Sequence, residues 1–426
     1  GSVALEHLAQ SKTAQIETQA IRVLFLNTRD SLGADVAVHL SLARWLDRAQ
    51  TEVWAATSTY EAPGSSTLTA LRQIPDLTVF PLDLGRPLYG LRGAGQALAL
   101  LRNVRGAASL ARLALLCRRQ GIDLIHVTER PRDALFGLLL ARVAGCTCLI
   151  HAHTSYYRHD ATRLFNWTLA RADAVVGVSQ FTAKTYTQNA GLPAERVFAI
   201  HNAVDAARFS PAVPSAARLA MRARFGIPAA APLIGCVARL SRWKGQAELL
   251  EALVAVRQTL PEARLLLAGG TMEAAPDGNG DFRAYLERRV VELGLSDAVI
   301  FAGFLPYDEM PAFFGALDVL AHPAVEEPFG LAIVEAMASE RPVVAVRAGG
   351  VPEIIRDGVD GLLAASNTPD ELAVELLRVL GDTDLSGRLG RAGRLRVERL
   401  FSPRRQAEAM AAVYRRVLGY GPIEQP

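Results

Sequence analysis

The sequence predicts an α/β chain folded as two doubly wound domains, and three observations lead there. Short apolar runs alternate with amphipathic helical stretches along most of the chain, the pattern of parallel strands joined by helices. A length of 426 residues is long for one hydrophobic core and suits two domains of roughly 200 residues each. A Pro-rich stretch, Phe209-Ser210-Pro211-Ala212-Val213-Pro214, reads as a hinge between them. We therefore divide the chain into a polar extension (1–20), a first domain (21–205), a hinge (206–214), a second domain (215–400) and a final segment (401–426).

In the first domain Ile21 to Leu26 is short and densely apolar, as a buried strand should be. The chain then turns through Asn27 to Gly33 into a helix carrying Val36, Leu40, Leu42 and Leu46. Further strands are predicted at 52–56, 77–80, 124–127, 148–151, 174–178 and 197–200, with Ser179 a good N-cap for the helix after the sixth. Ligands of such sheets gather at the carboxyl ends of strands, where Gly33, His126 and His153 fall. Gly33 is also compatible with an ordinary turn glycine, and His126 with a packing role. Tyr156, Tyr157, Arg158 and His159 follow His153 and are candidates for acceptor contacts.

In the second domain a helix over 216–225 precedes a strand at 233–238, which runs into Arg239-Leu240-Ser241-Arg242-Trp243-Lys244-Gly245 and a helix bearing Leu249, Leu250 and Leu253. Two cations at a strand end can neutralise a diphosphate. Strands follow at 263–268 and 298–301, separated by a Gly/Asp/Asn-rich loop, 277–281, that reads as flexible. The densest stretch is AHPAVEEPFGLAIVEAMASERPVVAVRAGGVPE, from Ala321 to Glu353. It begins after a strand at 317–320, contains a helix from about Leu331 with Pro328 in its first turn, and enters another strand at 343–346. The amides of Gly330 and Leu331 open that helix without intrahelical acceptors and favour a phosphate. Glu327 and Glu335, with seven residues between them, bring two carboxylates to the same helix mouth. Either acidic residue alone would be unremarked at a helix N-terminus. Together with the Pro-Phe-Gly turn and the Gly349-Gly350 loop they suit a guest with hydroxyls and a diphosphate, such as a nucleotide sugar.

The run EPFGLAIVEAMA, followed by RPVVA and GGVPEII, resembles the Glu-x7-Glu signature of retaining, nucleotide-sugar-dependent glycosyltransferases of the glycogen-synthase-like family 4 group (glycosyl transferases group 1). VVGVSQFTAKTY and GLPAERVFAIHNAVDAARFSP form a second block of resemblance. The resemblance implies the GT-B fold, two Rossmann-like domains facing a central cleft, with a final helix crossing back onto the first. It implies that Glu327 contacts donor-sugar hydroxyls, Glu335 the ribose, and Arg239 and Lys244 the pyrophosphate, with His153 over the donor sugar. It places a glycine-rich loop at Gly33, where this sequence has one glycine instead of a pair, and glycine more often than Glu at position 340. The implied reaction moves a hexose to an acceptor hydroxyl without a metal, in glycan, glycolipid or polysaccharide biosynthesis, the leaving phosphate itself taking the acceptor's proton. A nucleotide-sugar epimerase on the same fold and a catalytically weak nucleotide-sugar-binding partner subunit remain the alternatives.

Composition limits the rest. A net charge of +3 without a dense basic block argues against a nucleic-acid partner. No run approaches the roughly 18 apolar residues of a membrane span, and the start of the chain has no apolar signal core; Gly1-Ser2 resembles a cleavage scar. Cys117, Cys146, Cys148 and Cys236 have neither zinc nor disulfide-scaffold spacing, which fits a reducing cytoplasm. No Asp-x-Asp motif suited to a divalent ion is evident, so no cofactor or metal is expected; the only lysines are Lys12, Lys184 and Lys244. The acidic-free region from Arg86 to Arg119 reads either as a solvated helix face or as a peripheral contact with the inner face of a membrane.

Overall fold

The computed structural model describes residues 20–28, 33–59, 67–84, 94–159, 161–271 and 273–420, the side chains of 94–105 excepted. The polar extension 1–19 and Arg86 and Arg92 therefore lie outside the described residues. The chain divides into two compact units, one comprising 1–201 with 403–426 and the other 202–402. Residues 202–214, which hold the hinge of the sequence reading, belong to the second unit, and the helix Pro403–Val417 belongs to the first.

The first unit is a parallel sheet of seven strands: β1 (Ile21–Asn27), β2 (Thr51–Ser58), β3 (Thr78–Leu82), β4 (Leu124–Thr128), β5 (Thr147–Ala152), β6 (Ala174–Gly177) and β7 (Val197–Ala199). Their order in space is β3-β2-β1-β4-β5-β6-β7. Side chains alternate across β1, as the period of two requires. Leu24 and Leu26 pack with Ile125, Val127, Leu138 and Tyr186 on one face. Ile21, Val23 and Phe25 pack on the other with Leu42 and with Met410 and Tyr414 of the last helix. Ser179 caps Gln180–Gln188 as expected, its hydroxyl accepting from the Thr182 amide at 3.0 Å.

The second unit has six parallel strands: β8 (Leu233–Val237), β9 (Arg264–Ala268), β10 (Val299–Gly303), β11 (Val319–His322), β12 (Val343–Val346) and β13 (Leu362–Ala364), in the order β10-β9-β8-β11-β12-β13. Two expectations shift here. The strand expected at 317–320 begins two residues later, because Leu317 caps the helix Met310–Ala316 and Asp318 turns its carboxylate to the Leu233 amide at 2.7 Å and to Arg222 at 3.0 Å. The helix after Phe329 begins at Leu331, which leaves Pro328 in the loop before it and not in its first turn. β13 is a further strand that the sequence reading did not separate from the C-terminal helices. The loop 277–281 is ordered by an antiparallel bridge between Ala274 and Asp281 and by Asp281 capping the helix Phe282–Glu292.

Candidate functional site

In the second unit β8 and β11 lie side by side, with β9 and β10 to one side and β12 and β13 to the other. Strand order reverses at this pair, and the crevice beyond the carboxyl ends of such a pair is where doubly wound sheets bind ligands. The loop after β8 carries Arg239 and Lys244, and the loop after β11 carries Glu327. The two loops meet: Lys244 Nζ donates to Glu327 Oε2 at 2.6 Å, and His322 Nε2 lies 2.9 Å from the same oxygen. An ionised carboxylate only accepts, so Nε2 of His322 carries the proton. Burial alone would raise the Glu327 carboxyl, but the His322 hydrogen bond and the Lys244 charge outweigh it and hold it down at about 2. Glu327 is thus a buried, permanent carboxylate whose Oε1 has no partner among the described residues.

Backbone geometry locks it in place. Gly349 has φ +59°, and a Cβ there would sit 2.1 Å from the Glu327 carbonyl oxygen, so only glycine lets this loop close on Glu327. The amide of Gly350 donates to that same carbonyl at 2.8 Å. Gly330, at φ +113°, turns the chain into the helix Leu331–Ala338, whose first amides point out of its N-terminus. Phe329, fully buried against Phe401, anchors the turn.

Glu335 stands on that helix in the opposite electrostatic state. Burial raises its carboxyl from 4.5 to about 8, with the charge of Arg208 opposing. Arg208 lies over the Tyr307 ring at 4.4 Å and pairs with Asp308, and burial, with the Glu335 charge next, pushes the Tyr307 hydroxyl upward. Arg239 is exposed and makes no hydrogen bond or ion pair through its side chain among the described residues. Its carbonyl accepts from Gln246, which fixes the loop's backbone at 2.9 Å. Lys244 is further held by Trp243, its Nζ 4.0 Å from the ring centroid. The structure therefore brings together Lys244, Glu327, Gly330, Leu331 and Glu335 on neighbouring segments of one unit, with Arg239 on the loop that carries Lys244.

Gly33 and His153 lie in the first unit. Gly33 is the N-cap of the helix Ala34–Trp45 with φ −89° and ψ 172°, an extended conformation open to any residue. His153 follows β5 and is partly buried; burial lowers its imidazole against the charges of Glu129 and Asp35. At the neighbouring ends of β1 and β4, Thr28 and Thr128 converge on the buried Asp133, and Arg130 pairs with Asp35. Burial would raise Asp35, but the hydrogen bond and charge of Arg130 take it down to about 2. Tyr156 does not reach outward: its ring is buried and its hydroxyl donates to Asn166 at 2.7 Å. His126 is likewise interior, with Nδ1 2.7 Å from the Tyr414 hydroxyl.

Sequence reasoning missed His322, Arg208 and Tyr307. His322 had a signal, a polar residue ending an apolar run just before Pro323. Arg208 fell within the stretch read as a hinge, and nothing in the sequence ties it to Glu335.

Comparison with known proteins bears on the family and the fold. The profile of the family described as Glycosyl transferases group 1 matches residues 218–396, and that of Glycosyltransferase Family 4 matches 36–208. A 2-deoxystreptamine glucosyltransferase from Streptomyces kanamyceticus is 33% identical over 78% of this chain and 87% of its own length. A D-inositol 3-phosphate glycosyltransferase from Salinispora arenicola is 33% identical over 60% of this chain and 57% of its own. The crystal structure of Anabaena HepE in complex with UDP-glucose superposes with a TM-score of 0.73 at 25% identity, covering 92% of this chain and 99% of HepE.

Proposed function

From the premise that the chain belongs to the group 1 glycosyltransferases of the GT-B fold, enzymes that use a nucleotide-sugar donor, we propose a retaining transfer of a hexose to an acceptor hydroxyl with no metal at the donor. The observation that carries this reading is Glu327, a carboxylate fixed by Lys244 and His322 at the mouth of the helix Leu331–Ala338. Its free Oε1 accepts from the donor-sugar hydroxyls. Glu335 accepts from the ribose. The diphosphate takes the helix amides of Gly330 and Leu331 together with Arg239 and Lys244, cations placed where a metal would otherwise neutralise the leaving charge. In this reading the diphosphate oxygen released on that face accepts the acceptor's proton as the new bond forms.

HepE is seen with UDP-glucose, and two relatives are named for cyclitol acceptors, 2-deoxystreptamine and inositol 3-phosphate. UDP-glucose and a polyhydroxylated ring are therefore the first donor and acceptor class to try. The basic region ending at Arg119 adds a proposed contact with anionic membrane, since Arg112, Arg118 and Arg119 are exposed on the helix Ala94–Gln120 together with Leu115. No helix among the described residues is long and apolar enough to cross a membrane.

The test is release of nucleoside diphosphate from UDP-, GDP- and ADP-sugars with cyclitol acceptors, with and without a chelator, and the anomeric configuration of the product by NMR. Retained configuration and unchanged turnover in chelator are expected. Inversion would overturn the retaining step, and interconversion of the donor without acceptor would favour an epimerase. Absence of binding to any nucleotide sugar would favour a partner subunit.

A further inference from the structure

The first unit holds a group of histidines that the donor chemistry does not use. His39 comes from the helix after β1, His126 from β4 and His151 from β5, and their relative exposures are 5%, 0% and 0%. One ligand nitrogen from each lies within 4.8 Å of the other two, the one such group of three among the described residues. His126 Nε2 and His151 Nδ1 are 3.2 Å apart. Nitrogens about 2.0–2.1 Å from a tetrahedral zinc ion stand roughly 3.3 Å from each other, so this pair already has the spacing of two ligands.

Hydrogen bonding accounts for only part of the cluster: His126 is paired through both nitrogens, with the Tyr414 hydroxyl and with His151 Nδ1. Nε2 of His39 and Nε2 of His151 are buried without a partner among the described residues. Orphaned ring nitrogens are costly in a core, and with His151 facing His126 through Nδ1 the Nε2 of His39 is the orphan that an ion could satisfy. The outer contact is of the kind metal sites use: the Tyr414 hydroxyl, 2.7 Å from His126 Nδ1, fixes that ring and turns Nε2 towards the cluster.

We propose that His39, His126 and His151 form a binding site for one divalent first-row transition ion of the zinc type, each giving one ring nitrogen, with the fourth position left to water. Imidazole ligands exclude magnesium and calcium, which need oxygen donors. Closing a pair from as much as 4.8 Å to about 3.3 Å requires about 1.5 Å of movement shared between two rings. The ion ties β4, β5 and the helix after β1 together at the point where strand order reverses. It also fixes β5 two residues before His153, whose ring centroid is 4.4 Å from that of His151. It takes no part in donor ionisation.

The protein is produced with zinc or cobalt supplied, freed of loose metal by desalting, and assayed for metal per chain and for the visible absorption of the cobalt form. About one ion per chain and the intense d–d band of four-coordinate cobalt are expected, and His39→Asn or His151→Asn should lower the content by tenfold or more while circular dichroism stays native. Less than about a tenth of an ion per chain in the wild-type protein overturns the site, whether or not the variants fold. So does full metal content in a folded His39→Asn or His151→Asn protein.

Discussion

Raising the pH from about 6 to about 8 is expected to tighten donor binding, by a margin that Glu335 sets. Burial lifts its carboxyl from 4.5 to about 8, so in the free protein it is mostly neutral across this range. A ribose hydroxyl donating to it favours the ionised form, and binding therefore releases a proton. Affinity then grows by at most about tenfold per pH unit below the raised value, a ceiling of roughly a hundredfold over two units. Glu335 keeps some solvent access, and Arg208 opposes the shift, so about tenfold is the expected gain. Calorimetry with UDP-glucose in two buffers of different ionisation enthalpy counts the proton directly, and the diesterified diphosphate does not itself titrate in this range. In Glu335→Gln the slope and the released proton should both vanish. A flat wild-type affinity, or an unchanged slope in the variant, would refute the reasoning. Stability follows the same group with its own sign. A carboxyl with a raised value adds stability below about 4.5 that is lost as pH rises through about 8. The nominal ceiling is about 5 kcal/mol at about 1.4 kcal/mol per pH unit, discounted to about 2 kcal/mol for solvent. Glu335→Gln should accordingly exceed the wild type in urea resistance above pH 8 by about that amount.

Three other perturbations test separate parts of the structure. Lys244→Met leaves Glu327 buried with only His322, and should cost about 2–4 kcal/mol in urea unfolding as well as most of the turnover; adding Glu327→Gln should restore stability but not activity, and equal stability of Lys244→Met and wild type would contradict the buried pair. Glu340 has φ +54°, a left-handed conformation that costs a side-chain-bearing residue about 1–2 kcal/mol, so Glu340→Gly should stabilise by about 1 kcal/mol after glycine's own entropy loss, against no change in the urea midpoint if the conformation is unstrained. Replacing Arg112, Arg118 and Arg119 by Gln should reduce co-sedimentation with anionic vesicles severalfold at low salt; unchanged sedimentation would leave this face as solvated helix.

The strands were legible where burial on both faces makes a parallel strand a continuous apolar run, as in Ile21 to Leu26 and Val343 to Val346. They were less so where a strand is three residues long, as in β13, or where an apolar run spans a helix end and a strand start, as at Leu317. That second error had a consequence for function. Ending the strand at Leu320 left His322 in a turn, and its place at the carboxyl end of β11 is what aims Nε2 at Glu327.

Strand order lies deeper than any local pattern. Nothing in the residues between Gly235 and Leu320 states that β8 and β11 are neighbours, because β9 and β10 intervene in sequence and are displaced to the far side in space. Only that adjacency joins Lys244 to Glu327. The two residues could be picked out separately, as a cation and a carboxylate at strand ends, but their ion pair could not. The pair changes what each does: without Lys244 and His322 a carboxylate as buried as Glu327 would take up a proton, as Glu335 does on the next turns of the chain. The same burial that neutralises one carboxylate is overridden at the other by two side chains, which leaves one fixed acceptor before the helix Leu331–Ala338 and one protonated carboxyl on it. Residue types alone made the two glutamates look equivalent, and the difference between them comes from the neighbours that the sheet order supplies.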